Sequence, residues 1–589
     1  MTIEQGAEPG VDEGYERGLT ARTVQMIAIG GAIGTGLFYG SGGAIEKAGP
    51  ALILAYALAG LAIFIVMRAL GELLIYRPVS GGISEYADEF LGRFAGFSQG
   101  WTYWAVWTTT CMAEITVAGK YINYWWPSIP VWVTALVALV ILFAANLISV
   151  GLFGKAEFWF STIKVTAILG MIVVGIGVLL PPISGFGPEV GPSVSNLWNE
   201  GGFFATGFSN ALLSLQIVMF AYVGVELVGV TAGEAENPRV TLRKAINSVP
   251  FRIGIFYVGA LFVILSVRSW KDYQEGQSPF VSVFSYIGIP GGAAGIVNFI
   301  LLTAALSSCN SGIYSTGRML RSLAHTGDAP PKQLTKLSSR KVPAAGITLS
   351  AAVMVLGVVV NVLDPEHAFA YITAVSTVGI IVIWSTILLC QMAYRRKVAR
   401  GELPASDYRV PGAPVTTWLA LAFLALVFVL LFFDQDGRIA LLVGAVWFTG
   451  VGVGYLAWTQ RRGAGRPRGL TISRRTNPDQ MDGRPPRRKC PSGPPGFGGR
   501  RVRSEKSDRA GGAVDLDHGS VSDPPGGFGG RHDAGDSQFT ADDRRVREGR
   551  THVDYDRSGG DEQRRPRRIG DRRDEDVTRL EGRGGRRDS

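Results

Sequence analysis

Residues Val24 to Ile45 read VQMIAIGGAIGTGLFYGSGGAI, an uncharged run of about 22 residues, long enough to cross one hydrocarbon core at ~1.5 Å rise per residue. Its centre is crowded with glycine, at Gly30, Gly31, Gly34 and Gly36, with Thr35 between the last two. Each glycine costs roughly 1 kcal/mol of helix propensity against alanine, so a helix that had only to cross lipid would use leucine. Two readings follow. In one, the helix breaks at mid-membrane, and the N–H groups opening its second half face a cavity as donors suited to a carboxylate. In the other, the glycines let a neighbouring helix pack closely.

Outward from this stretch, the chain of 589 residues joins two unlike parts that its mean hydropathy of +0.21 conceals. Up to about Trp458 it is a succession of long apolar runs; beyond Arg461 it is Arg, Gly, Asp and Pro with almost no aliphatic residues. The net charge of +10 therefore does not mark a nucleic-acid binder, because membrane proteins carry basic cytoplasmic loops, and no nucleic-acid partner is expected. Cys111, Cys309, Cys390 and Cys490 are too scattered for a metal spacing or a disulfide framework. The acidic N-terminus lacks a short apolar segment with a cleavage site, so the first span is expected to stay in the membrane.

Apolar runs of spanning length number about twelve. After the first come Ala51 to Met67, Phe97 to Trp126, Val131 to Val150, Phe158 to Leu180 and Phe208 to Ala232. Then follow Phe251 to Val267, Val281 to Tyr314, Ala344 to Leu363, Ala368 to Tyr394, Trp418 to Phe433 and Ala440 to Trp458. The tenth admits division into two short pieces. With a cytoplasmic N-terminus, the inside connections hold roughly twenty Lys and Arg against four outside (Lys47, Arg268, Lys271 and Arg438), as the positive-inside rule requires. Both termini are then cytoplasmic in a multi-pass protein of the plasma (inner) membrane.

The sixth segment is odd in the same way as the first. FAYVGVELVGVTAGEAENP, Phe220 to Pro238, sets Gly224, Glu226, Gly229, Gly233 and Glu234 in what should be lipid-compatible sequence. Segments one and six cross in opposite directions. Two interrupted helices at matching places in two inverted halves are the best sequence pointer to a transporter's binding site, and they favour the broken-helix reading of Gly30 to Gly36.

These stretches, with AGP (Ala48 to Pro50), RALGEL (Arg68 to Leu73), GWTYW (Gly100 to Trp104), EFWFSTIKV (Glu157 to Val165) and SSCNSGIYSTGRML (Ser307 to Leu320), carry a resemblance. From about Tyr15 to Arg462 the sequence resembles the amino acid permeases of the amino acid–polyamine–organocation superfamily. RPVSGG (Arg77 to Gly82), GQSPF (Gly276 to Phe280) and TAALSSCNSG (Thr303 to Gly312) look most like asparagine permeases, while D-serine/D-alanine/glycine permeases share several of them. The resemblance implies an all-α polytopic fold of about twelve transmembrane helices. These form two inverted five-helix repeats with discontinuous helices one and six, plus two further helices. The substrate α-carboxylate would then sit on Thr35 and the N–H groups around Gly34 to Gly36. The α-amine would meet carbonyls near Ala32 and Val223, and Phe220 would cover the substrate. The chemistry agrees: a zwitterion needs donors at one end and acceptors at the other, and two unwound helices supply both without a buried counter-charge.

Glu114, Lys164 and Glu226 lie inside apolar spans, where an unpaired charge costs at least ~2.5 kcal/mol, so each should face the protein interior. Lys164 resembles the lysine that replaces a sodium ion in proton-coupled relatives. Glu226 follows the second break, and Glu114 fits the family pattern in the third span. All three are candidates for proton coupling, set against a structural ion pair. Ser307, Ser308, Asn310 and Ser311 offer a polar site near Lys164, or simply pack helices. Lys120, near the outer end of span three, is expected to snorkel to the interface.

Residues 1–20 read as a cytoplasmic segment, 21–462 as the permease domain and 463–589 as a disordered tail. Its Arg- and Gly-rich segments suit RNA or anionic lipid, but interleaved Asp and Glu dilute both, so it reads as functionless disorder or as an out-of-frame translation of a GC-rich gene. The expected function is proton-coupled import of a small neutral amino acid, asparagine first. The partners are that amino acid, the proton and the bilayer; no cofactor, metal or enzymatic machinery is expected, and oligomeric state is not set. The alternatives are a D-serine/D-alanine/glycine permease and a membrane amino-acid sensor signalling through the tail.

Overall fold

The computed structural model describes residues 33–78, 82–148, 150–180, 191–227, 229, 238–287, 293–329 and 332–463. The N-terminal segment, the first half of span one with Ala32, and the tail beyond 463 lie outside the described residues. All regular structure among those described is helical. We name the membrane face with the basic connections inner and the opposite face outer.

Nine helices among the described residues are long and apolar enough to cross a membrane. They supply spans two, four, five and seven to twelve. Span one begins as a short helix, Thr35–Phe38, followed by Gly40–Ala48. Span six is Phe208–Leu213 and Leu215–Ala221 followed by turns through Glu226. Among the described residues, the helix of span one thus starts only at Thr35, and that of span six gives way to turns after Ala221.

Span three, Arg93–Asn123, is a 31-residue helix. Its hydroxyls and charges lower its hydropathy because it does not face lipid. It packs against spans eight, nine and ten as an internal post. Its polar groups bond across those contacts: Trp104 Nε1 donates to Ser350 Oγ at 2.9 Å, Asn361 Nδ2 to Thr116 Oγ1 at 2.7 Å, and Thr110 and Ser376 share a bond of 3.0 Å. Trp104 and Trp107 are buried here, whereas Trp126 stays exposed.

The structure corrects three boundaries. The eighth segment, expected from Val281 to Tyr314, is two helices, Pro279–Ile287 and Ala293–His325. The sequence between them contains Pro290, Gly291 and Gly292, residue types that disfavour helix and that the apolar signal alone passes over. Span five starts at Val150, before the apolar run, because Lys155 and Glu157 are good helix formers that extend it past the hydrocarbon. Span ten is one helix, Ala368–Ala399.

At the inner face, RALGEL ties spans two and ten to the loop between ten and eleven. Glu72, 3% exposed at its side chain, accepts from Arg395 Nε (2.8 Å) and Nη2 (3.0 Å), Gln391 Nε2 (3.1 Å) and the Val410 N–H (3.0 Å). Arg68 lies over the Tyr408 ring at 3.7 Å and donates to Asn247 Oδ1 at 2.8 Å. Replacing Glu72 by leucine strands four N–H donors in a buried place. Loss of about 1–3 kcal/mol is expected, read as a lower Tm in detergent, with Glu72→Gln intermediate because an amide oxygen still accepts.

Candidate functional site

The first break is built by Gly34. Its backbone is extended (φ −125°, ψ −162°), so the helix that follows starts at Thr35 in the interior of the protein. A helix start leaves amides without intrahelical partners. One of these finds a side chain: the Thr35 N–H donates to Glu114 Oε1 at 3.4 Å. A Cβ on Gly34 would stand 2.6 Å from that same oxygen and 3.3 Å from Ser308 Oγ, so glycine is what lets span three and span eight close on the break. On the preceding residue, the Ile33 carbonyl accepts from Lys164 Nζ at 3.5 Å. Glu114, Lys164 and Ser308 thus meet at one end of one broken helix, all buried, with the Lys164 charge acting on Glu114. The Thr35 hydroxyl, also buried, has no hydrogen-bond partner among the described residues.

The second break is closed by different groups. Gly224 takes φ +104°, a conformation that favours glycine, and its N–H donates to Glu226 Oε2 at 3.2 Å. The Ala221 carbonyl, at the end of the helix, accepts from Tyr257 Oη at 3.2 Å. Tyr257 sits in a π-helical stretch, Ile253–Gly259, and its ring stacks on Tyr222 at 4.7 Å. Glu226 lies among Tyr103, Trp107 and Trp384. The three buried charges therefore form two clusters, one at each break.

The breaks touch at Gly36. A Cβ there would come within 2.5 Å of Ala221 Cα and 3.1 Å of the Phe220 ring. Gly36 is thus a close-packing glycine as well as a neighbour of the helix start, so both sequence readings of the glycine cluster hold at different residues. Val223 is buried in the turn that follows. Of the four polar residues on span eight, Ser308 reaches the first break and Ser307 is buried on the same turn. Asn310 instead accepts from Asn146 Nδ2 of span four at 2.7 Å, and Ser311 has an unpartnered buried hydroxyl.

Above the breaks lies an aromatic floor that sequence reading only half found. The Phe220 ring meets Phe369 edge-on at 6.1 Å, and Phe369 meets Tyr39 at 5.0 Å. Tyr39 follows the opening motif directly and was legible as its continuation; Phe369, on span ten, had no local signal. Outside this floor a cavity of about 470 Å³ opens outward, lined by Gln216, Glu275 and Asp436 among others. Lys120, expected to snorkel toward lipid, turns inward and stands 5.3 Å over the Tyr39 ring. The acidic lining and the ring face attract its charge more than the interface does. GQSPF forms part of this outer wall: Ser278 Oγ donates to the Phe38 carbonyl at 2.6 Å, and Phe280 packs edge-on against Phe38 at 5.0 Å.

The family model described as amino acid permease matches residues 23–464. An uncharacterized amino acid permease, YtnA, of Bacillus subtilis (strain 168) is 48% identical over 73% of this chain and 92% of its own length. The amino-acid permease AapA of the same organism is 46% identical over 77% of this chain and 97% of its own. A D-serine/D-alanine/glycine transporter of Escherichia coli (strain K12) is 44% identical over 77% and 96%.

Gly36 gives a direct test of the contact between the two breaks. Gly36→Ala must push the half-helices apart, and a loss of about 1–3 kcal/mol is expected, seen as a lower Tm. Gly450→Ala, where an added Cβ meets nothing within 4 Å, serves as the control and should leave Tm at or above that of the parent chain.

Proposed function

The chain belongs to the amino acid permease family, and from that premise we propose that it imports a small neutral amino acid together with a proton. The observation that carries this reading is the helix start at Thr35: a buried hydroxyl without a partner, beside an N–H already held by a carboxylate. A substrate carboxylate placed on Thr35 and the amides of Gly34 to Gly36 arrives where Glu114 already stands. Two anions do not share one helix start unless a proton neutralises one of them. Proton uptake on Glu114 therefore accompanies substrate, and release of both restores the Glu114–Lys164 pair. Lys164, tied to the Ile33 carbonyl of the same break, supplies the counter-charge in the empty carrier.

The other end of the zwitterion meets the unwound turn of span six near Val223. Phe220, backed by Phe369 and Tyr39, covers the site from outside. Alternating access then requires the rings to part outward and the inner halves to part inward. Glu226 holds the second break through Gly224 and offers a second place for a proton. Asparagine is the first substrate to try, on the strength of RPVSGG, GQSPF and TAALSSCNSG. A D-serine, D-alanine or glycine substrate is the second reading, favoured by the relative of that name.

Reconstituted vesicles with an inward proton gradient should accumulate labelled asparagine, and excess unlabelled D-serine or glycine should compete if the second reading holds. Glu114→Gln is expected to bind and exchange substrate but lose accumulation driven by the gradient, because its site no longer gains or loses a proton. Lys164→Ala should also lose accumulation. Gradient-driven uptake that is unchanged in both variants would defeat the coupling.

A further inference from the structure

The cavity outside the aromatic floor has features that the central site does not use. Glu46, Glu275 and Asp436 line it, with Lys47, whose ammonium is held by Asp434 at 2.5 Å. Two lining side chains, each more than nine-tenths buried, present oxygens with no hydrogen-bond partner among the described residues: Gln216 Oε1 (6% exposed) and Tyr39 Oη (4% exposed). A buried unpaired polar atom costs roughly 1–3 kcal/mol, so both oxygens stand to gain from a donor. The Gln216 amide is oriented by its other end, which donates to Asp434 Oδ2 at 2.6 Å.

We propose that this outer cavity is a second recognition site, which takes the ammonium group of an arriving amino acid and turns away amino acids of net negative charge. Gln216 Oε1 and Tyr39 Oη accept from the ammonium, and the three carboxylates supply the field. Such charge-assisted bonds are about twice as strong as neutral ones. Burial, then the charges of Asp436 and Glu46, push the Glu275 carboxyl above its ordinary range, against the opposing pull of Lys120 and His367. A carboxylate so placed is short of positive charge and gains from an incoming cation. Among the described residues no three His, Cys, Asp or Glu side chains converge to hold a metal ion, so the lining suits an organic ammonium. Tyr39 belongs both to this cavity and to the floor beneath it, so the ammonium is held at the ring that must move for the substrate to pass.

The site deepens the transport reading and rests on it for its purpose, but it can be tested without transport. Ethanolammonium, which lacks the carboxylate that the Thr35 break requires, is titrated into the purified full-length protein, with acetate as the anionic control. The parent chain should bind the amine and not acetate. Tyr39→Phe, which removes one charge-assisted bond, and Glu275→Gln, which removes one of the three charges of the field, should each weaken the amine by about tenfold. Tyr39→Phe removes only a hydroxyl without a partner, so an unchanged Tm of the free protein shows that the effect is local. Absence of binding to the parent chain, or affinity in both variants equal to that of the parent chain, would overturn the proposal. If the amine binds as expected while no amino acid accumulates in vesicles, the transport reading fails and the outer site stands.

Discussion

A helix that begins inside a bilayer must find acceptors for its first amides within the protein, because hydrocarbon offers none. At Thr35 the acceptor is Glu114, and most of the surrounding architecture exists to bring that carboxylate there. Span three is too polar to face lipid and is held inside by bonds to spans nine and ten. Gly34 removes the Cβ that would keep Glu114 away, and Lys164 balances the charge from span five. Each of these features is costly in isolation and stable only in the presence of the others.

The second break obeys the same rule with different chemistry. Its amide at Gly224 is met by a glutamate two residues on, and its carbonyl at Ala221 by a tyrosine from span seven. Side chains from several spans meet backbone groups at both breaks. They also bring the two half-helices into close contact at Gly36, against Ala221 and the Phe220 ring. The aromatic rings of Phe220, Phe369 and Tyr39 then separate this interior from the acidic mouth, so that a charged group outside and a helix end inside are divided by an apolar layer.

Segment lengths, the glycine clusters and the charge bias of the loops were enough to read a polytopic helical protein broken in spans one and six. Those features are local: the bilayer fixes span length, and glycine at mid-span contradicts the only role a plain crossing helix has. The candidate site was legible to the extent that it lies along the chain. Thr35, Glu114 and Lys164 could each be picked out as a polar residue in apolar surroundings. That Glu114 lies against the Thr35 amide, and that Asn310 turns to Asn146 while Ser308 turns to the break, was not legible, because each depends on which faces of separate helices meet.

The same division runs through the whole molecule. The sequence by itself determined the medium, the number of crossings and the places where helix cannot continue, since these follow from hydropathy and backbone chemistry within one segment. Only the tertiary structure decided which buried charge answers which loose backbone group, that Lys120 turns inward over Tyr39, and that Phe369 completes the floor. Those are pairings between residues far apart in the chain, and a pairing energy exists only once packing has brought both partners to the same place.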